Sequence, residues 1–209
     1  MADAASAVLR LIAFSDTTRA EPAVLVERFT RLGKRAVPGS VLFVLRDYPS
    51  TLRERLALGQ RLAELAASTG QRFGLAERAD LARALHCTAF HLPGGGLSAS
   101  DARRYLGPGV FLSRGSHDPR SASEPELDAV LLSPIFEARK GRPALGRAAL
   151  EEAAQSPTGR APLLFALGGV SAHNAAACLS AGAAGVAVIG AALAPDPEPL
   201  LAALGIARS

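Results

Sequence analysis

The sequence is poor in several residue types, and each shortage excludes a class of protein. Its two cysteines, Cys87 and Cys178, lie far apart in apolar stretches without the spacing of a metal site, so we expect buried free thiols. Aromatic residues make up only 5% of the chain, which argues against a nucleic-acid-binding surface. No apolar run reaches the ~18 residues of a membrane span, and no targeting segment is recognisable. We therefore expect a cytoplasmic protein without nucleic-acid or membrane partners.

Lysine is also scarce, because all but two of the 23 basic residues are arginines. The net charge is +4, but the arginines alternate with Glu and Asp along predicted helices and form no basic stripe. Codon usage in a GC-rich genome explains this composition more simply than selection for charge.

Short β-rich apolar runs alternate with Ala-, Leu-, Arg- and Glu-rich segments that have helical spacing, which predicts repeated βα units. Strands are predicted at Val8–Phe14, Ser40–Arg46, Arg72–Ala76, Thr88–Leu92, Val110–Leu112, Ala129–Leu132, Leu163–Leu167 and Gly185–Ile189. Helices are predicted at Pro22–Leu32, Leu52–Ser68, Arg78–Leu85, Ser98–Leu106, Leu145–Ala154, Ser171–Ala181 and Pro197–Leu204. A single short turn is expected after the fifth strand, and Ser98 and Ser171 are predicted N-caps.

Eight such units without a long insertion favour one (β/α)8 TIM barrel, formed by residues 1–209 as a single domain. The length of 209 residues and the hydrophobic content of 49% suit a core of that size. An open flavodoxin-like sheet is the alternative. In a barrel the functional residues lie at the C-terminal ends of the strands, so the sequence can be searched there.

The strongest local signal is a pair of hydrophobic strands near the C-terminus, each ending in glycine before a helix. The residues concerned are Gly168 and Gly169 after the seventh strand, and Ile189 and Gly190 after the eighth. Backbone N–H groups at such turns bind phosphate, and the last two loops of TIM barrels often do so together. The alternative is that the turns need glycine for their own backbone conformation.

Several motifs, taken in order, resemble the family of thiamine-phosphate synthase and thiazole tautomerase over nearly the whole chain. The motifs are LFVLRD (42–47), FGLAERADLARAL (73–85), AFHLPGGGLSASDARRYLG (89–107), LSRGSH (112–117), DAVLLSPIFEARKG (128–141) and the two glycine turns. The resemblance implies a TIM barrel that binds a small phosphorylated heterocyclic substrate. A homodimer is also expected.

The synthase branch of this family binds Mg²⁺ and a pyrophosphate through an Asn-Asp-Arg turn after the third strand and an aspartate after the fourth. Here the turn is Ala76, Glu77 and Arg78, and Gly96 stands in place of the aspartate. Tyr48 replaces a phosphate-contacting lysine. These differences imply weaker Mg²⁺ binding, since Mg²⁺ needs hard oxygen ligands. We expect no cofactor, and Mg²⁺ only if the chain is a synthase that retains Glu77 as a ligand.

The tautomerase branch resembles this chain at His91 to Pro93 and at LSRGSH, which places His117 in the catalytic position. Imidazole titrates near neutral pH, so one histidine can remove a proton and return it elsewhere without a metal. The resemblance therefore implies that His117 is the general acid/base of a carboxythiazole phosphate isomerisation. A solvated loop histidine is the alternative. His91 is expected in the core, and His86 and His173 are given no role.

Further binding residues are expected around this histidine. Lys140 matches a family lysine that contacts phosphate or carboxylate, and Arg46 can hold a carboxylate through two parallel N–H bonds. Additional candidates are Glu77, Arg78, Arg114 and Ser133, although Glu77 and Arg78 can equally pair with each other. We therefore predict a metal-independent thiazole tautomerase, with a divergent thiamine-phosphate synthase and a catalytically inactive phosphate-binding barrel as alternatives.

Overall fold

Eight parallel strands form a closed barrel in the computed structural model, which describes residues 8–121, 126–139, 141–155 and 161–208. Each strand pairs with the next along the chain, and the last pairs with the first through Leu11 and Val186. The predicted TIM barrel is confirmed, and the open sheet is wrong. The strands are β1 (Leu11–Phe14), β2 (Val41–Leu45), β3 (Arg72–Ala76), β4 (Ala89–Leu92), β5 (Phe111–Ser116), β6 (Ala129–Leu132), β7 (Leu163–Leu167) and β8 (Gly185–Val188).

Helices connect most of the strands on the outside of the barrel. They are α1 (Pro22–Arg35), α2 (Leu52–Thr69), α3 (Ala79–Ala84), α4 (Ala99–Leu106), α5 (Ala148–Ala154), α6 (Ala175–Ser180) and α7 (Glu198–Ala203). The short turn expected after β5 is the 3-10 segment Pro119–Ser121, and a second 3-10 segment, Gly190–Leu193, follows β8. No helix among the described residues is both long enough and apolar enough to cross a membrane.

Several predicted boundaries are wrong, two of them because of backbone pairing that periodicity does not reveal. Strand β5 continues beyond Leu112 to Ser116, since its polar second half pairs in register with β6. Helix α5 begins at Ala148 rather than Leu145. The N–H groups of Leu145 and Gly146 donate instead to the carbonyls of Pro134 and Ile135, which ties this segment to the end of β6.

The two predicted N-caps have different outcomes. Ser98 caps α4, since its hydroxyl accepts a hydrogen bond from the N–H of Asp101 at 3.0 Å. Ser171 does not cap α6, which begins four residues later. Its own N–H donates to the side chain of Asn174 at 2.8 Å, and the Asn174 amide donates to the Gly169 carbonyl at 3.0 Å. These bonds hold the loop after β7 in a compact shape.

The strands are hydrophobic throughout because both of their faces are buried. Inward-facing residues such as Ile12, Leu131 and Phe165 fill the barrel, while outward-facing residues pack under the helices. The Phe29 and Phe43 rings, for example, stack at 4.9 Å between α1 and β2. The expected buried thiols are confirmed, and burial raises the pKa of Cys87 to about 12 and that of Cys178 to about 11.

Candidate active site

A cavity of about 580 Å³ opens at the C-terminal ends of the strands. Its volume is typical of a small-molecule site, and its position is where the active sites of TIM barrels lie. Every connection that follows a strand contributes to its lining. The lining residues are Asp16, Thr18, Arg46, Asp47, Tyr48, Pro49, Glu77, His91, Leu92, Pro93, Gly94, Gly115, His117, Ser133, Pro134, Arg139, Arg142, Leu167, Gly168 and Ile189.

The structure brings together some of the predicted site residues but not all of them. Those that line the cavity are Arg46, Glu77, His117, Ser133, Gly168 and Ile189. Gly169, Gly190, Arg78 and Arg114 are not among its lining residues. Arg78 pairs with Asp80 at 2.6 Å instead of with Glu77, and Arg114 donates to the Leu97 carbonyl at 2.7 Å. Lys140 lies outside the described residues.

The two glycine-containing turns lie side by side at the cavity, as expected, because they follow the neighbouring strands β7 and β8. Gly168 and Ile189 contribute one lining residue from each turn. Gly168 has a φ of +98°, and a Cβ there would lie 2.9 Å from the Cα of Pro134. The glycine is therefore required by its own conformation and by close packing of the loop after β6, whatever the turn binds.

Arg46 is held firmly at one side of the cavity. Its guanidinium carbon lies 5.9 Å from the ring centre of Phe14 and 5.4 Å from that of Tyr48. An Asp16 carboxylate oxygen lies 3.5 Å from Nη2, and the buried Nε has no hydrogen-bond partner among the described residues. Because aromatic rings contact the guanidinium, its N–H edge is the part best placed to bind an anion.

Asp16 is a site residue that the sequence analysis missed. Burial alone would raise its pKa, but hydrogen bonds from Thr18 and the charges of Arg46 and Arg19 lower that pKa below its usual value. The carboxylate therefore stays ionised beside Arg46. The sequence did contain a signal for this residue. Asp16 follows the first strand, and the functional residues of a barrel lie at the C-terminal ends of its strands.

A second cationic group lines the cavity from the loop after β6. Arg139 and Arg142, in the loop after β6, both line the cavity with exposed side chains. Their backbones exchange two hydrogen bonds of 3.0 Å, which closes a tight turn. Strands β2 and β6 are four positions apart in an eight-stranded ring, so these arginines and Arg46 follow strands on opposite sides of the barrel. The sequence analysis selected Lys140 from this loop and overlooked its neighbours.

His117 lines the cavity at the end of β5, and its imidazole is oriented by the neighbouring strand. The Nδ1–H donates to the carbonyl oxygen of Ser133 at 2.7 Å. A neutral histidine that donates through Nδ1 carries its lone pair on Nε2. In its neutral form the ring therefore has its proton acceptor at Nε2, which a general base requires.

Glu77, on the turn after β3, is the residue expected to remain as a Mg²⁺ ligand if the chain is a synthase. The hydroxyl of Tyr48 donates to its Oε1 at 3.0 Å. The pKa of Tyr48 is raised, mainly by burial and to a smaller extent by this bond and by the charge of Glu77. Gly96 offers no side-chain ligand, and no group of three His, Cys, Asp or Glu ligands occurs in the part of the chain that the structure describes. Mg²⁺ commonly binds one or two carboxylates together with substrate phosphates and water. Glu77 thus fits a site with one protein ligand.

Comparison with known proteins gives a consistent result. A family model described as thiamine monophosphate synthase matches residues 16–192. The chain is 37% identical over 178 residues to the thiamine-phosphate synthase of Thermus thermophilus, covering 82% of this chain and 84% of that protein. It is 33% identical over 164 residues to the thiamine-phosphate synthase of Mycobacterium bovis, covering 76% and 73%.

A solved structure of thiamine phosphate pyrophosphorylase from Pyrococcus furiosus has the same fold. It is similar to this chain with a TM-score of 0.79 and 23% identity, covering 94% of this chain and 96% of that one. The names of these relatives favour the synthase alternative over the tautomerase branch. On the extent of the family match, the chain belongs to the thiamine monophosphate synthase family.

Proposed function

We propose that the chain is a transferase of thiamine biosynthesis that joins a hydroxymethylpyrimidine pyrophosphate to a thiazole phosphate. The observation that carries this proposal is that two cationic groups, which follow the opposite strands β2 and β6, line one cavity of about 580 Å³. A cavity of this kind suits two ligands that each carry an anionic group. The names of the relatives point in the same direction.

Each charged group then has a role. Arg139 and Arg142, with the backbone turn at Gly168, bind the thiazole phosphate, while the edge of Arg46 binds the pyrophosphate. Glu77 would hold Mg²⁺, which when bound neutralises charge on the departing pyrophosphate. Because Gly96 and Tyr48 replace a carboxylate and a lysine, we expect Mg²⁺ and pyrophosphate to bind weakly.

The test is to incubate the protein with both substrates, with and without Mg²⁺, and to identify products by mass spectrometry. We expect a coupled product that requires Mg²⁺, and Glu77→Gln should raise the Mg²⁺ concentration needed for half-maximal rate. Glu64→Gln, on the exposed face of α2, is the matched control. A coupled product whose Mg²⁺ requirement is the same in both variants would remove Glu77 from the site.

A second function, the tautomerase reaction, is favoured by one specific observation. The Nδ1–H of His117 donates to the Ser133 carbonyl, so the neutral form of this imidazole carries its lone pair on Nε2. The imidazole would remove a proton from one position of the carboxythiazole phosphate and return a proton at another, which makes the ring aromatic. Arg46 would bind the carboxylate. Ultraviolet absorbance can monitor aromatisation of this compound. Aromatisation without Mg²⁺ or the pyrimidine would support this function over the first.

A third outcome is that neither product forms although the thiazole phosphate binds. That result would support the binding barrel without catalysis, and it would contradict both reactions proposed above.

A further inference from the structure

His91 lies on the floor of the cavity, where the sequence analysis expected only a core residue. It points inward from β4 and is paired in register with Ser113 of β5. Its Nδ1 lies 3.0 Å from the Ser113 hydroxyl, and its ring packs edge-on against Phe14 at 5.1 Å. Ser113 is 2% exposed. The histidine is therefore fixed from two sides, and its ring still lines the cavity.

The second ring nitrogen has no such partner. Among the described residues, the His91 side chain forms a hydrogen bond only through Nδ1. Nε2 has no partner there, and it is not a buried atom. Nε2 is thus accessible, and the accessible space beside it is the cavity. Phe14, against which the His91 ring packs, belongs to the apolar interior of the barrel together with Val44 and Leu131.

The ring is also uncharged in the working range of pH. Burial, followed by the charges of Arg46 and Arg114, lowers the pKa of His91 to about 4. A neutral imidazole binds anions weakly and forms hydrogen bonds with neutral polar atoms. The Ser113 hydroxyl can either donate to Nδ1 or accept from it, so Nε2 can act as donor or acceptor without loss of that bond.

We propose that His91, oriented by Ser113, is a specificity-determining residue that hydrogen-bonds through Nε2 to the heterocyclic ring of the substrate. The proposal rests on the proposed function, since it concerns the same cavity. The arginines at the opening bind the anionic groups, whereas His91 is the neutral polar group on the floor beneath them. It selects planar heterocycles with a polar ring atom over phosphates that have no ring.

The test compares two probes by isothermal titration calorimetry, namely thiazole phosphate and inorganic phosphate. His91→Phe keeps a ring against Phe14 but removes the hydrogen bond. We expect its affinity for thiazole phosphate to fall about 5- to 10-fold, the effect of one hydrogen bond, while its affinity for inorganic phosphate stays within about twofold. Ser113→Ala should give a smaller loss in the same direction. His86→Asn, an exposed histidine before β4, should change neither affinity.

A purely structural role for His91 predicts that both affinities fall together, and that result would overturn the proposal, as would an unchanged affinity for thiazole phosphate. If His91→Phe does not fold, ¹⁵N chemical shifts of the wild-type histidines decide the matter. The Nε2 signal of His91 should move with thiazole phosphate and stay in place with inorganic phosphate, and the reverse would contradict the proposal.

The proposed reaction and the proposed role of His91 can fail separately. A wild-type protein that binds thiazole phosphate but forms no product contradicts the proposed reaction and leaves the role of His91 intact. A wild-type protein that does not bind thiazole phosphate contradicts both.

Discussion

The Nδ1 atom of His117 lies 2.7 Å from the carbonyl oxygen of Ser133, so the end of β6 sets the tautomer of a histidine at the end of β5. Because a backbone carbonyl can only accept, the neutral ring has its proton on Nδ1 and its lone pair on Nε2. The hydrogen bond orients an exposed imidazole, while the role of His117 as a base stays a prediction.

The first prediction concerns the tautomerase reaction. His117→Ala should lower turnover of the carboxythiazole phosphate tautomer by about 10²-fold, because it removes the proposed acid/base group, and should leave ligand affinity largely intact. Turnover is measured by absorbance and affinity by calorimetry. The exposed His86→Asn variant serves as the control, and equal turnover in wild type and His117→Ala would exclude His117 from the chemistry.

A second prediction uses the replacement of a family lysine by Tyr48. Tyr48→Lys adds a cation beside Arg46 and Glu77, so affinity for inorganic pyrophosphate should rise about 3- to 10-fold at low salt, with a smaller gain at high salt. The other tyrosine of the chain, Tyr105 on α4, provides a matched control, because Tyr105→Lys adds the same charge away from the cavity. Equal gains in the two variants would show that only net charge matters.

How far the sequence predicted this molecule depends on the kind of interaction. Strands β3, β6 and β7 were predicted to the residue, because burial on both faces makes a barrel strand continuously apolar. Strand β5 was predicted too short, because Ser113 to Ser116 are polar. They extend the strand because β6 pairs with them and because Ser113 contacts His91 within the barrel.

The candidate site was predictable in part for the same reason. Residues that directly follow a strand, such as Arg46 and His117, could be placed at the opening once a barrel was inferred. The contact of Arg46 with both Phe14 and Tyr48 was not predictable, since it depends on how the end of β1 packs against the connection after β2. Nor was the accessible Nε2 of His91, because a histidine within an apolar strand has the same local pattern whether or not it borders a cavity.

A third prediction separates Gly168 from Gly190, two of the three glycines that were expected to bind phosphate. Gly168→Ala should lower the free energy of unfolding by about 2 kcal/mol, since its φ is +98° and the new Cβ meets the backbone of Pro134. Gly190 has no positive φ, and a Cβ added there would lie closest to the flexible end of the Arg19 side chain, at 3.4 Å. Gly190→Ala should therefore change stability by less than about 0.5 kcal/mol. Urea denaturation followed by circular dichroism measures both, and similar losses in the two variants would contradict the assignment.

The last prediction follows from the pKa of His91, which burial and then the charges of Arg46 and Arg114 lower from the usual 6.5 to about 4. Between these two values the unfolded chain binds a proton at this residue and the folded chain does not. Stability is therefore complete above about pH 6.5 and declines as the pH falls toward 4, by up to about 3 kcal/mol from this residue. His91→Phe removes that contribution, so its free energy of unfolding should depend less steeply on pH over this range than that of the wild type. Carboxylates titrate in both proteins and cancel in the difference, and His86→Asn should retain the wild-type slope. Parallel pH profiles for wild type and His91→Phe would mean that the folded protein accommodates a charged imidazole at this position. The conclusion that His91 is neutral in the cavity would then be wrong.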